Sequence, residues 1–375
     1  MTYNAEQKGA DMNSYSAHKE WASRPADERF HSLTAMLHAA RGRWDQSQHA
    51  NVQTRDLAVK ASDDGVLYVN GRTRSATLTN WSFNQLAQLG GAPAAYVQTL
   101  PATLAAACLN NGLASAYPVD GEHTRRLLFS ADSGGNLTLR SLNSDRYARV
   151  WDRDLIDRLI PLTEQGWKLP MAYKDGQFGA DEMEPAGAYM GDRDMFVFLV
   201  NDDRRIADPT DPSGEGMGRG IILRNSEVGA AALTLELFLY RYVCGNHIIW
   251  GHQQIATMRR RHVGQGLFEQ WGDTLTAVRA YSESSVERDE AFVRRATERQ
   301  LGAGKDEVIN LLTPVLTKGL ADRAYVMAET HHDNPRTAWG IAQGLTHLSQ
   351  EQTHQDRRFV LDQQASTVLK KFVTF

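Results

Sequence analysis

The chain has 375 residues, 42% of them hydrophobic and 23% charged, and a net charge of −4 from 41 basic and 45 acidic side chains. That length is ample for a sizeable core in one large unit or two domains, and the composition excludes a chain disordered throughout. The charge balance excludes a globally basic nucleic-acid coat, and two cysteines, Cys108 and Cys244, make neither a disulfide scaffold nor a CxxC zinc site.

Residues 1–25 are polar, lack the apolar stretch of a secretory signal and read as a mobile arm. Behind Pro25, the acids Asp27 and Glu28 and then Phe30, Leu33 and Leu37 at helical spacing predict a helix opening at the proline. Asp63-Asp64-Gly65 signals a turn, residues 66–69 a short strand and Asn70-Gly71 a hairpin. A capped helix begins at Thr79 and stops at Gly90-Gly91, and Pro93 and Pro101 each suit a further first helical turn. Segments 125–130 and 136–141 flank Asp132-Ser133-Gly134-Gly135 as a hairpin, and 151–162 is an amphipathic helix. Apolar runs at 195–200 and 220–224 are short enough for buried strands. Segment 233–243 fits strand or helix, with a strand favoured, Cys244-Gly245-Asn246 as a turn and 247–250 continuing the sheet. Helices are expected over 253–261, 267–278, 284–301, 306–328 and 335–350, with a last one through about Leu369. No repeat of 20–50 residues appears, and the apolar runs are far below the ~18 residues of a membrane helix.

These elements predict an α+β fold: a helical N-terminal layer, a central mainly antiparallel sheet over 120–250 and a helical C-terminal region. The expected division is an arm at 1–25, an α+β core at 26–250 with an acidic loop at 201–216, and a helical region at 251–375 packed on that core. The expected location is cytoplasmic.

Charge is uneven along the chain. Residues 175–215 hold eleven acids and three arginines, whereas 219–262 hold six arginines and two glutamates. Nine of the basic residues are lysine and 32 are arginine. Arginine's planar fork suits phosphate and carboxylate, although an arginine-favouring genome yields the same ratio.

Several stretches together resemble a family of phage- and plasmid-encoded proteins that bears a domain-of-unknown-function name. They are Arg140-Ser141-Leu142-Asn143-Ser144-Asp145-Arg146-Tyr147 with Trp151-Asp152, then Arg224-Asn225-Ser226-Glu227-Val228-Gly229, then Arg241-Tyr242-Val243-Cys244-Gly245-Asn246, and Asn334-Pro335-Arg336-Thr337-Ala338-Trp339-Gly340. The helical run from Leu86 to Leu109 adds to the likeness, which spans about residues 80–370. The family's middle motif often reads Asn-Ser-His/Tyr-Asp-Gly-Ser, and here Glu227 follows Ser226. The resemblance implies a mobile-element origin and no established activity.

Four constellations carry candidate chemistry. Arg140, Arg146, Arg149 and Arg153 around Tyr147 suit phosphate contact and base stacking, and Arg149 and Arg153 equally suit pairing with Asp152, Asp154 and Asp157. The polar block Arg224, Asn225, Ser226, Glu227 after an apolar strand suits either an anion cradle or a strand-ending turn. Cys244, His247 and His252, at Cys-x2-His-x4-His spacing and with His262 further on, could supply three zinc ligands but lack a fourth locally, so no metal is assigned. Arg259, Arg260 and Arg261 suit a phosphate backbone or a charged helix end. No P-loop, GxGxxG after a strand, GxSxG, HExxH or CxxC is present, so no catalytic residue and no cofactor is assigned.

The leading expectation is a non-enzymatic DNA-binding protein acting on single strands in replication or recombination. Its candidate contacts are Arg140, Arg146, Tyr147, Arg149, Arg224, Asn225, Ser226, Arg241, Asn246, Arg259, Arg260 and Arg261, with Trp250 as a further stacking group. The alternatives are a module that docks a host protein through the acidic loop, and a metal-dependent enzyme using His247 and His252. No membrane partner is expected, and oligomerisation is open.

Overall fold

The computed structural model describes residues 25–70, 75–116, 123–173, 183–211, 214–241, 246–249, 258–263, 269–352 and 355–373. It is an α+β fold with two mainly antiparallel sheets where the sequence predicts one.

The chain enters through β1 (Arg29–Phe30) and α1 (Leu33–Asp45). The helix does not open at Pro25. Residues 26–28 form one 3-10 turn, Phe30 pairs with Ala188, and α1 starts after Ser32, whose hydroxyl accepts from Ala35 N at 3.1 Å. The cap wins because Ser32 satisfies a first-turn N–H that proline can only leave absent.

The smaller sheet holds β2 (Ser47–Gln53), β3 (Ala58–Ala61), β4 (Leu67–Asn70), β5 (Ser75–Leu78), β6 (Thr124–Ala131) and β7 (Leu137–Ser144), in the order β2-β6-β7-β5-β4-β3. The β6–β7 turn forms as expected, with Asp132 Oδ1 accepting from Gly134 N and Asn136 N. Helices α2 (Asn80–Leu89), α3 (Ala94–Val97) and α4 (Ala102–Ala116) cover one face around Leu86, Leu109, Leu127 and Leu139.

Next come α5 (Asp152–Thr163), β8 (Trp167–Lys168), the small ladder β9 (Met171–Tyr173) with β10 (Met183–Pro185), β11 (Ala188–Met190), β12 (Met195–Ile206), β13 (Met217–Asn225), β14 (Leu233–Arg241), β15 (Asn246–Ile249) and β16 (Met258–Arg260). The large sheet runs β1-β11-β12-β13-β14-β15, with β8 on β12 and β16 on β14. Alternation divides its faces: Val197, Leu199, Ile221, Leu223, Leu235 and Leu237 meet α1 and α5, while Phe198, Ile222, Phe238 and Tyr240 pack on the opposite side. Burial on both faces explains why 233–241 reads ambiguously and is a strand.

The C-terminal helices are α6 (Glu269–Glu283), α7 (Glu287–Glu298), α8 (Lys305–Leu312), α9 (Lys318–Thr330), α10 (Ala338–Gln350) and α11 (Gln355–Phe372). Their core reaches the sheet through Ile206, Met217 and Leu239. The single helix expected over 306–328 is two helices, parted around Pro314, which lacks the N–H a continuing helix requires. Two further expectations change. β12 continues to Ile206, so the acidic loop is 207–216, its residues 212 and 213 outside the described set. Residues 258–260, expected as helix, form a strand on β14. The arm 1–24, Cys244, Trp250 and His252 also lie outside the described residues. Among the described residues, no helix is long and apolar enough to cross a membrane.

Candidate functional site

The two sheets meet at a polar junction, and a backbone irregularity builds it. In the β6–β7 ladder, Leu128 pairs with Ser141 and Phe129 with Leu139, so Arg140 is an extra residue on β7. Leu137, Leu139 and Leu142 therefore all reach the helical core of the smaller sheet, while Arg140, Ser141 and Asn143 are part of the polar junction. Strict alternation from Leu139 would turn Leu142 to the polar side and Asn143 into the core.

The turn after β13 faces this junction. Arg140, 5% exposed, donates from Nη1 to Glu227 Oε2 at 2.9 Å. Glu227 Oε1 accepts from Asp152 N at 3.1 Å, in the first turn of α5. Asn225 Nδ2 donates to Asp152 Oδ1 at 2.7 Å and to Val150 O at 2.9 Å. Arg149 Nε donates to Glu227 O at 2.8 Å, Tyr147 OH to Ser226 O at 2.7 Å and Asn143 Nδ2 to Val228 O at 3.0 Å. Trp81 Nε1 donates to the same Val228 oxygen at 3.1 Å. Gly229, at φ 88°, closes the turn in the left-handed region that favours glycine. The first two motif blocks thus converge in space although about 80 residues separate them.

Burial, and then the neighbouring Glu227 carboxylate, push Asp152 well above the usual carboxylate range. Burial also raises Tyr147 and lowers Arg149. Asp152 and Glu227 are both closed off from solvent. This carboxyl pair ties α5 to the β13 turn.

The outer edge is different. Tyr147 forms an isolated antiparallel bridge with Val263, and Ala148 N donates to His262 O at 2.9 Å. The Tyr147 and His262 rings stack at 5.1 Å, and His262 is lowered by burial. The bridge is antiparallel, so exposed Arg261 falls opposite Arg149, while exposed Arg146 directly precedes Tyr147. Arg126, also exposed, lies opposite Asn143 on β6. Arg149 lies over Tyr147 and Trp151, 5.7 and 5.5 Å from their ring centres. Arg126 is a contributor the sequence reading missed, since it sits in an ordinary strand with no motif around it.

The other expected contacts separate from this edge. Arg224 is buried on β13, with Nη2 3.9 Å from Asp194, on the sheet face that holds Glu236. Arg241 is buried and pairs with Asp208 and Asp333, so it joins β14, the acidic loop and the end of α9. Arg140, Arg224 and Arg241 therefore do not present their charge on the outer surface, being 5–8% exposed. Asn225 and Ser226 are likewise buried and bind the chain's own groups. Arg259 and Arg260 are exposed on β16, and Asn246 opens β15 by its backbone. Arg153 stacks over Trp44 at 3.5 Å. Among the described residues, no three His, Cys, Asp or Glu side chains converge as metal ligands.

The last motif block is a helix start. Thr337 Oγ1 accepts from Gly340 N at 3.0 Å, and Trp339 is buried in the helical core. Any Cβ at Gly340 would overlap the Asn334 carbonyl. Its residue types are set by this packing.

A family model described as a domain of unknown function, DUF932, matches residues 141–368, more than half of the chain. No curated protein and no solved structure matches.

Proposed function

The chain belongs to the DUF932 family, a domain of unknown function, and from that premise we propose that it is a non-enzymatic protein binding single-stranded nucleic acid, DNA first, along the edge where residues 145–149 meet 258–263. The observation that carries this reading is the Tyr147–Val263 bridge. It joins the segment of exposed Arg146 and of Arg149 to that of exposed Arg261, beside the rings of Tyr147, His262 and Trp151, with exposed Arg126 on the neighbouring β6. Cations that follow a backbone, with rings beside them, suit strand binding with little sequence preference. Arg259 and Arg260 extend the same segment along β16. The setting we propose is the replication or recombination of a phage or plasmid, following the motif resemblance. Host-protein docking through the acidic loop is less favoured, because Asp208 is turned inward on Arg241.

Fluorescence anisotropy with single- and double-stranded DNA oligomers at two salt concentrations tests it. The expected result is tighter binding to single strands, weakening steeply with salt. Replacing Arg146 and Arg261 together by alanine should flatten the salt dependence by about two phosphate contacts and weaken all sequences alike. Absence of binding at low salt rejects the proposal.

A further inference from the structure

A cavity of about 510 Å³ lies between α1 and the polar face of β7, a size suited to a small molecule. It is distinct from the strand-binding edge and does not rest on that reading. Arg140 and Thr138 line it from β7, Gly42 and Arg43 from α1, and Asp27 and Asp192 from the two adjoining turns.

The two guanidiniums are incompletely provided for. Among the described residues, Arg140 has a side-chain partner for Nη1 alone, the Glu227 carboxylate. Its other donors have no partner among the described residues and are not closed off from solvent, and the side chain lines the cavity. Arg43 donates to two main-chain oxygens, Gly191 O at 2.7 Å and Met190 O at 3.2 Å, and makes no ion pair among the described residues. Burial and then the charge of Arg140 lower the pKa of Arg43, against the pull of Glu227, Asp152 and Asp192. The inner wall thus holds two guanidiniums and, among the described residues, a single ion pair, Arg140 with Glu227, in a setting where an unpaired cation is costly. Alternation from Leu137 and Leu139 turns Thr138 and Arg140 to this side, and the irregularity that follows keeps Ser141 on it too.

We propose that this cavity binds a small molecule carrying one oxyanionic group, a carboxylate or a phosphate monoester, held by the open donors of Arg140 and the charge of Arg43. Planar guanidinium donors match both oxyanions in geometry. Asp27 and Asp192 are exposed where they line the cavity. They disfavour a polyanion and favour a ligand whose other end is cationic or rich in donors.

The test titrates the full chain with inorganic phosphate, glycerol phosphate, acetate and succinate, each against sodium chloride at matched ionic strength, reading thermal shift and calorimetric heat. A saturable upward shift with phosphates or with carboxylates is expected, and whichever series produces it identifies the class. Two variants localise it. Gly42→Leu extends a side chain from a helical position where a Cβ would meet open space, so it should keep the melting temperature and weaken binding about tenfold or more. Arg140→Gln with Glu227→Gln removes the guanidinium without stranding its carboxylate, and should abolish the shift. If the double variant fails to fold, Gly42→Leu still decides. The proposal is overturned if neither series shifts the protein beyond sodium chloride, or if Gly42→Leu binds as tightly as the parent.

Discussion

Two buried arginines of this molecule are held in opposite ways. Arg219 on β13 is 1% exposed and uses its whole fork. Nε and Nη2 donate to Asp289 Oδ2 at 3.1 and 2.8 Å, Nη2 also to Ser285 O at 3.0 Å, and Nη1 to Tyr281 O and Ser284 O at 2.8 and 3.0 Å. The Tyr281 ring lies below it at 4.4 Å. Arg140 has comparable burial, one carboxylate partner and a cavity beside it. The first arrangement is complete: it clamps the connection from α6 to α7 onto the large sheet and leaves nothing for a ligand. The second is incomplete on the side that faces open space. Burial alone says little about an arginine's role; the number of donors the protein itself satisfies says more.

The comparison is open to direct attack. The largest effect is expected from Arg219→Ala, which leaves Asp289 buried without its cation and should cost about 3–5 kcal/mol in denaturant unfolding. A loss below about 1 kcal/mol would mean the clamp is ornamental.

Next in size is a pH effect on the same sheet. Burial raises Glu236 to about 7 from an ordinary 4.5, against the pull of Arg224 and Arg259, and its Oε2 has no partner among the described residues. A carboxyl whose folded pKa is raised binds its proton more tightly in the folded state. Its contribution is therefore full below about pH 4.5 and is lost as pH rises through 7. Glu236→Gln should be nearly neutral at pH 4.5 and stabilising by up to about 3 kcal/mol at pH 8. Stability curves that stay parallel across this range would refute the shift.

A finer test uses lysine at both arginines. Arg219→Lys discards a fully used fork and should cost about 2–3 kcal/mol, whereas Arg140→Lys can keep one charged contact to Glu227 and should cost under about 1 kcal/mol. Equal costs would end the distinction drawn between them. The smallest effect on stability belongs to Arg146→Ala. It should leave the melting temperature unchanged while strand affinity falls, and a drop in both would place Arg146 in the scaffold.

Elements with a local cause were legible in the sequence. The Asp132-Ser133-Gly134-Gly135 turn, the Thr79 cap and the Gly90-Gly91 stop each depend on residues within a few positions. So does the helix from Asp152, whose apolar spacing the large sheet then covers. The α+β class followed from their sum. Strand partners were not legible. That segment 258–260 joins β14, and that residues 47–78 supply four strands of a second sheet, are matters of long-range register that no short window contains.

The site divides along the same line. Motif spacing picked out Arg140, Tyr147, Arg149 and the Asn225-Ser226-Glu227 block, and the fold does bring these together. It did not disclose which arginines face inward, because residue type carries no information on burial once acids lie within reach elsewhere in the chain. Arg43 and Arg126 carried no signal at all, and each acquires a role only from what packs opposite it. Composition and local pattern established the class, the helices and the polar blocks, since their causes lie within one or two turns of chain. Tertiary structure alone decided the pairing of sheets, the inward or outward aim of each guanidinium and the cavity between α1 and β7, since these depend on contacts between residues roughly a hundred positions apart.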